Sequence, residues 1–342
     1  MKFKQLGKTG VLLSELCFGT MTFGGRGYWK AIGQLPEDEV TQLVKTAIDS
    51  GINFFDTANA YSEGLAETLL GNAFKNLGVN RQTVFIATKV RLRMGDGANQ
   101  VGLSKLHILD SVDDSLLRLG VSHIDMLYIH GVDPITPVEE TMRALEDVVR
   151  AGKVRYLGVS NHPAWMVVKA NCFASNLGWS KFVASQNFYS IASRDIEREI
   201  VPMALNESIS IMPWSPLAGG FLSGKFRRDS KNDGSNRRDN FDFPPINKEK
   251  AYDIIDVMVK IGERYNTSAA RVALSWIKDK PGVGSVIIGA KNQEQLLDNL
   301  ACTQLQLSQD DMKELDAISA LAPEYPGWMV DRQLTGRFPE SK

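Results

Sequence analysis

The chain has 342 residues, 43% apolar and 23% charged, a composition that implies a folded body with a sizeable core and excludes a long disordered chain. Its 39 Lys and Arg nearly cancel its 40 Asp and Glu, for a net charge of −1, which argues against a dedicated nucleic-acid or anionic-membrane binder. No apolar run approaches the ~18 residues of a membrane span, the start MKFKQLGKTG lacks a secretory apolar stretch, and Cys17, Cys172 and Cys302 are too few and too far apart for a disulfide framework or a zinc knuckle, so a cytoplasmic globular protein is expected.

In chain order, Leu16–Thr20 reads as the first strand. Pro36 opens a helical stretch with Val40, Leu43, Val44, Ala47 and Ile48 on one face, stopped by Gly51. Ile52–Asp56 is short and aromatic, a buried strand. A helical stretch around Glu63–Asn76 leads to the strand Thr83–Thr88. The helix Lys105–Leu119 ends at Gly120, and His123–His130 is the next strand. Thr136-Pro137-Val138-Glu139 reads as a capping box with Pro at the first helical position, opening a helix that ends at Gly152. Val154–Val159, Phe182–Gln186, Ile209–Trp214 and Val283–Ile288 bring the strands to eight.

Sustained β-then-α alternation predicts an α/β fold with a parallel sheet and crossover helices. Eight strands is also the number that closes a (β/α)8 TIM barrel. A doubly wound open sheet is the alternative that alternation leaves. No break marks a second domain, so residues 1–342 are read as a single domain. Long βα loops are expected at Arg91–Ser104 and Gly219–Asn247. The tail 322–342 is read as a loop, because Pro323 and Pro326 stop a continuing helix.

In such a barrel the active site lies at the carboxyl ends of the strands. Asp56 ends the second strand, Lys89 follows the third, His130 ends the fourth, and Tyr61 lies on the loop after Asp56. Taken singly each has an ordinary reading: a carboxylate holding turn amides, a solvated lysine, a packed histidine, a rim tyrosine. Together they make an acid/base site. An ammonium beside a phenol, itself held by a carboxylate, is expected to lower the phenol's pKa of ~10, and a histidine can hydrogen-bond a carbonyl oxygen. The histidines and cysteines show no metal-ligand spacing.

Six stretches in order, FGTMTFG from Phe18, DTANAYSEG from Asp56, ATKV from Ala87, IDMLYIHGVD from Ile124, GKVRYLGVSN from Gly152 and PWSPLAGGFLSGKF from Pro213, resemble the aldo-keto reductases over roughly the first 320 residues. The resemblance implies an N-terminal β-hairpin over 1–15, turning at Lys8–Gly10 and plugging the barrel floor. It implies Asp56, Tyr61, Lys89 and His130 as a catalytic tetrad, with Tyr61 the proton donor. It also implies a nicotinamide cofactor bound without a Rossmann domain, and no G-x-G-x-x-G here joins a strand to a helix.

Carried over by residue, Ser160, Asn161 and Gln186 would hold the carboxamide and Trp214 would stack on the nicotinamide. Ser215, Leu217, Gly219 and Lys225 would close over the pyrophosphate, with Thr20 and Met21 beside the ribose near Asp56. Gly289, Lys291, Gln295 and Asn299 would meet the adenosine 2′-phosphate, with Arg238 reaching in from the long loop. NADPH is favoured and NADH stays open, since a Lys-Ser pair and an arginine common in the family are replaced here by Gly289-Ala290 and Gln295. The G-x-x-x-x-G-K spacing from Gly219 to Lys225 is no phosphate-binding P-loop, because Phe226 stands where Ser or Thr must hold Mg²⁺.

The implied activity is reduction of an aldehyde or ketone, reversible in principle, on a small-molecule carbonyl substrate. The rival is a cofactor-binding regulatory subunit of the same fold with little turnover, and a sugar dehydrogenase is a narrower third reading. Specificity would come from Phe23–Gly33, Val90–Ser104 and the loop after Trp214. Tyr28, Trp29, Met94 and Trp328 either line an aromatic-tolerant pocket or pack the rim. The oligomeric state is not readable.

Overall fold

Short apolar runs buried on both faces are the mark of parallel strands covered by helices, and they recur here with little variation. The computed structural model describes residues 1–228, 238 and 241–334. Strands β3 (Leu16–Gly19), β4 (Phe54–Asp56), β5 (Phe85–Val90), β6 (Ile124–Ile129), β7 (Val154–Ser160), β8 (Phe182–Phe188), β9 (Ser210–Trp214) and β10 (Val286–Ile288) form one sheet. Its order is β10-β3-β4-β5-β6-β7-β8-β9, every pairing parallel. The two ends meet: Ile211 N–H donates to the Gly282 carbonyl at 2.8 Å, and Gly284 N–H to the Ile211 carbonyl at 2.9 Å. The expected (β/α)8 barrel is what forms.

Helices α1 (Glu37–Asp49), α2 (Leu65–Asn76), α3 (Lys105–Leu119), α4 (Val138–Arg150), α5 (Ala164–Asn176), α6 (Ile200–Glu207), α7 (Lys248–Arg264), α8 (Ala269–Lys278), α9 (Gln293–Leu300), α10 (Gln309–Ile318) and α11 (Gly327–Leu334) complete the chain. Their apolar faces and the outer face of the sheet share the larger core. A second core fills the barrel, built from Cys17, Phe54, Met126, Tyr128 and Met212 together with Leu6 and Leu13 of the hairpin. That hairpin pairs β1 (Phe3–Gln5) with β2 (Leu12–Ser14), and Lys8–Gly10 lies in its turn. Gly7 N–H donates to Ser210 Oγ at 2.7 Å, at the amino end of β9, so the floor is closed and the opposite end is left for chemistry.

Three local expectations are corrected. Helix α2 begins at Leu65 rather than Glu63, because Ser62 and Glu63 take left-handed backbone angles and Gly64 follows at φ 88°. Pro137 is the N-cap of α4, not its first residue, and no side chain caps that end. Thr136 instead donates to Asp133 Oδ2 at 2.7 Å, a charge-assisted bond that holds its hydroxyl on the loop rather than on the helix amides. The tail holds α11: Pro326 prevents continuation from α10 but suits the start of a new helix. The last part of the tail, 335–342, and most of the charged run in the 219–247 loop lie outside the described residues.

Candidate active site

Parallel register brings the strand ends together. Asp56 closes β4 and pairs with Ala87; Lys89, near the end of β5, pairs with Tyr128 of β6, just before His130. Lys89 has no exposed surface. Its Nζ donates to Asp56 Oδ2 at 2.5 Å, the Thr57 carbonyl at 2.7 Å and the Tyr61 hydroxyl at 3.2 Å. Three ammonium protons thus meet three acceptors. Gln186, from β8, donates its Nε2 to the other oxygen of Asp56 at 2.8 Å.

Tyr61 is carried by a tight loop. Ser62, buried and left-handed, donates to the Phe23 carbonyl at 2.7 Å and accepts from Gly25 N–H at 2.9 Å. The loop after β3 is thereby fastened to the loop that holds the phenol. The His130 ring stands edge-on to Tyr61 at 5.8 Å between centroids, and Trp29 does the same at 4.8 Å.

Burial pushes the Asp56 carboxyl up, against the Lys89 charge and the hydrogen bonds from Lys89 and Gln186. Burial disfavours the Lys89 ammonium, yet Asp56 and Tyr61 together hold its pKa above the ordinary lysine value. Burial also raises the Tyr61 phenol, and the opposing charge of Lys89 does not offset it. The expected net lowering of the phenol by Lys89 is therefore not found: Tyr61 stays protonated through neutrality. Burial, with the charges of Lys89 and Arg91, holds His130 well below 6.5. Its imidazole is neutral, and Nδ1 is buried with no hydrogen-bond partner among the described residues.

The residues expected at a cofactor fall into neighbouring groups. Asn161, left-handed after β7, donates from Nδ2 to Ser160 Oγ at 2.9 Å and to the His130 carbonyl at 3.2 Å. Its Oδ1 accepts from Trp214 Nε1 at 3.0 Å. Phe243 lies nearly parallel to Trp214, at 5.8 Å and 13°. Ser215 Oγ accepts from Gly219 N–H at 2.8 Å, and the Leu217 carbonyl accepts from Gly220 N–H at 2.9 Å. Lys225 is exposed beyond this turn. After β10, Gln295 Oε1 accepts from Lys291 N–H at 3.0 Å, and Asn299 donates to the Gly289 carbonyl at 3.1 Å. Thr20 is buried with its hydroxyl unpartnered among the described residues, and Met21 is half-buried beside it.

Arg238 is deeply buried. It donates to the Ala218 carbonyl at 2.6 Å, the Pro244 carbonyl at 3.0 Å and Asp242. Of the rim residues, Trp29 touches Tyr61, Tyr28 bridges Trp29 and Phe241, Met94 lies in the loop after β5, and Trp328 sits on α11 against Tyr325.

Sequence reasoning missed two side chains. Glu67, fully buried in α2, accepts from the Thr88 hydroxyl, next to Lys89, and from Arg118 Nε at 2.6 Å. A helical glutamate near the start of α2 carries no signal of this. Arg91, two residues past Lys89, has φ 142° and donates to the Val132 carbonyl through Nε at 3.2 Å and Nη2 at 2.9 Å. Its distance from Lys89 in sequence was the available clue.

The family model described as "Aldo/keto reductase family" matches residues 15–320. A Schizosaccharomyces pombe protein provisionally named an aryl-alcohol dehydrogenase is 35% identical, with 91% of this chain and 93% of that protein covered. The versiconal hemiacetal acetate reductase of Aspergillus parasiticus is 32% identical, covering 96% and 99%. A protein of Oryza sativa subsp. japonica, provisionally named a voltage-gated potassium channel subunit beta, is 33% identical, covering 95% and 94%. No helix among the described residues is long and apolar enough to cross a membrane.

Proposed function

The chain belongs to the aldo/keto reductase family, and from that premise we propose that it reduces an aldehyde or ketone to the alcohol with NADPH, Tyr61 giving the proton. The observation that carries this reading is the buried Asp56–Lys89 pair set against the Tyr61 hydroxyl. When bound, the nicotinamide supplies the hydride. Tyr61 then passes its proton to the substrate oxygen, and Lys89, 3.2 Å away, stabilises the phenolate left behind. Asp56 keeps Lys89 charged and aimed. His130, neutral, hydrogen-bonds the carbonyl oxygen beside Tyr61.

The donor set fits the cofactor. Ser160, Asn161 and Gln186 offer hydroxyl and amide groups at adjoining strand ends. Gly219 and Gly220 adopt positive φ, which lets the chain turn tightly after Trp214, their own amides closing the turn on Ser215 and Leu217 at the position given to the pyrophosphate. At Gly289 a side chain would meet nothing within 4 Å, leaving room for a phosphate beside Lys291 and the amino end of α9. That cation favours NADPH over NADH. Arg238, tied to Ala218 and Pro244, braces the pyrophosphate turn. Trp214 receives the nicotinamide ring, for which the neighbouring Phe243 has to yield or share its face.

The test is cofactor consumption with NADPH and, separately, NADH, over aliphatic, aromatic and sugar carbonyls. Tyr61→Phe is expected to lower kcat by about 10²–10⁴ with NADPH affinity unchanged. The second reading, a cofactor-binding channel subunit, draws on the name of the rice relative. Tight NADPH binding with no Tyr61-dependent turnover of any carbonyl would select it and overturn the reductase.

A further inference from the structure

Arg91 follows directly on β5, two residues past Lys89, and its backbone holds φ 142°. A side chain rarely tolerates that conformation, and such strain persists where the surroundings over-determine it. Here they do. The Arg91 carbonyl accepts from Gly102 N–H at 2.8 Å. Its guanidinium is pinned through Nε and Nη2 to the carbonyl of Val132, two residues past His130. A side chain at Gly102 would lie 2.6 Å from Asp133 Oδ2, so the two loops are in close contact.

The pinning leaves the charge uncompensated. Val132 offers a neutral carbonyl, and no ion pair to Arg91 forms among the described residues. Asp133, the adjacent carboxylate, is already engaged: Oδ2 accepts from Leu103 N–H at 2.7 Å and from Thr136, and Oδ1 accepts from Ile135 N–H at 3.0 Å. No hydrogen bond reaches Arg91 Nη1 from a described residue. The result is a half-buried, pre-oriented cation at the carboxyl end of the barrel, its field felt by the His130 imidazole. On the same rim the Trp29 ring stands 4.8 Å from Tyr61 and presents an aromatic wall.

We propose that Arg91 is an anion subsite of the substrate pocket, so that the preferred substrate is an aromatic carbonyl compound carrying a carboxylate. The inference rests on the reductase reading for the word substrate, but the subsite is defined by binding alone. A guanidinium with fixed orientation selects a carboxylate by charge-assisted hydrogen bonds. Lysine at this position would keep the charge and lose the double anchor on Val132.

The experiment has two arms. In the first, kcat/KM with NADPH is compared for 4-formylbenzoate and its neutral methyl ester, in the native protein, Arg91→Met and Arg91→Lys. The native protein is expected to favour the acid over the ester by about tenfold or more, Arg91→Met to abolish that ratio, and Arg91→Lys to retain part of it. In the second, benzoate binding to the NADPH-loaded protein is measured by calorimetry, with about tenfold weakening expected in Arg91→Met. Equal use of acid and ester, with benzoate affinity the same in both proteins, overturns the subsite while leaving the reductase standing. Arg91-dependent benzoate binding without turnover of any carbonyl supports the subsite and removes the reductase.

Discussion

Lys89 shows how a single buried charge can be held in place. Its three protons are matched by Asp56, Thr57 and Tyr61, and Gln186 completes the coordination of Asp56. Removing one partner of a buried pair leaves the other charge unpaired, at a cost of about 3–5 kcal/mol. Lys89→Met is therefore expected to destabilise the protein by that order in urea unfolding. Adding Asp56→Asn should recover much of the stability and none of the activity. A double variant as unstable as Lys89→Met would show that the carboxylate is not the source of the loss.

The directions of the His130 and Tyr61 titrations also fix a pH profile. His130 is already neutral well below 6.5, and Tyr61 keeps its proton above 10. For carbonyl reduction, kcat/KM should be level from about pH 6 to 9 and fall as Tyr61 loses its proton above about pH 10. Alcohol oxidation, which needs the phenolate, should instead rise with pH across that range. A rate limb near pH 6.5 for reduction would mean that His130 titrates in the working range. At this scale the convergence of the four residues was legible, because Asp56, Lys89 and His130 lie where apolar runs end at the same side of the barrel and Tyr61 is on the loop after Asp56. The net pKa of Tyr61 was not: a neighbouring cation can be read from sequence, whereas the burial that outweighs it depends on the packed loop of Ser62–Gly64.

Among the elements, α2 and α3 act as the back wall of the site. Glu67 and Arg118 bind each other across them, and Thr88 ties the pair to the strand that carries Lys89. One turn on from Glu67, Gly71 permits the close approach: a Cβ there would lie 2.4 Å from the Leu119 carbonyl oxygen, which is backbone and has little room to yield. In an open helix Gly→Ala would gain up to about 1 kcal/mol. Here the clash reverses the sign, and Gly71→Ala is expected to cost about 2 kcal/mol in thermal unfolding. It should also lower kcat several-fold by displacing Arg118 and Glu67 from Thr88. A stabilised Gly71→Ala protein would refute the close-packing reading. The sequence located α3 correctly and α2 apart from its first residues. It could not show that Glu67 faces inward, because a charged residue in an amphipathic pattern is assigned to solvent unless its partner on another helix is known. The ends of elements failed for a related reason: the Thr136 hydroxyl is engaged by the Asp133 carboxylate of the preceding loop and does not accept from the helix amides.

The whole barrel has a working end and a structural end, and the chain starts on the structural one. Parallel alternation was legible along the sequence, and so was closure by eight strands. What sequence did not contain was the strength of the seam between β9 and β10, where a short pairing at Ile211 and Val283 completes the ring. The hairpin spans that seam from below. Gly7 is bonded to Ser210 on one side, Lys4 donates to the Val283 carbonyl at 3.1 Å on the other, and Leu6 enters the barrel core. Leu6 is fully buried, so Leu6→Ala is expected to cost about 2–5 kcal/mol from lost burial and the cavity left behind. The loss should appear as a lower unfolding midpoint, with kcat and KM of the folded protein unchanged, because the acid/base residues sit at the opposite ends of the strands. A fall in kcat matching the fall in stability would mean that the floor and the mouth of the barrel are mechanically coupled. Independent behaviour would identify the hairpin as a stopper that sets stability alone.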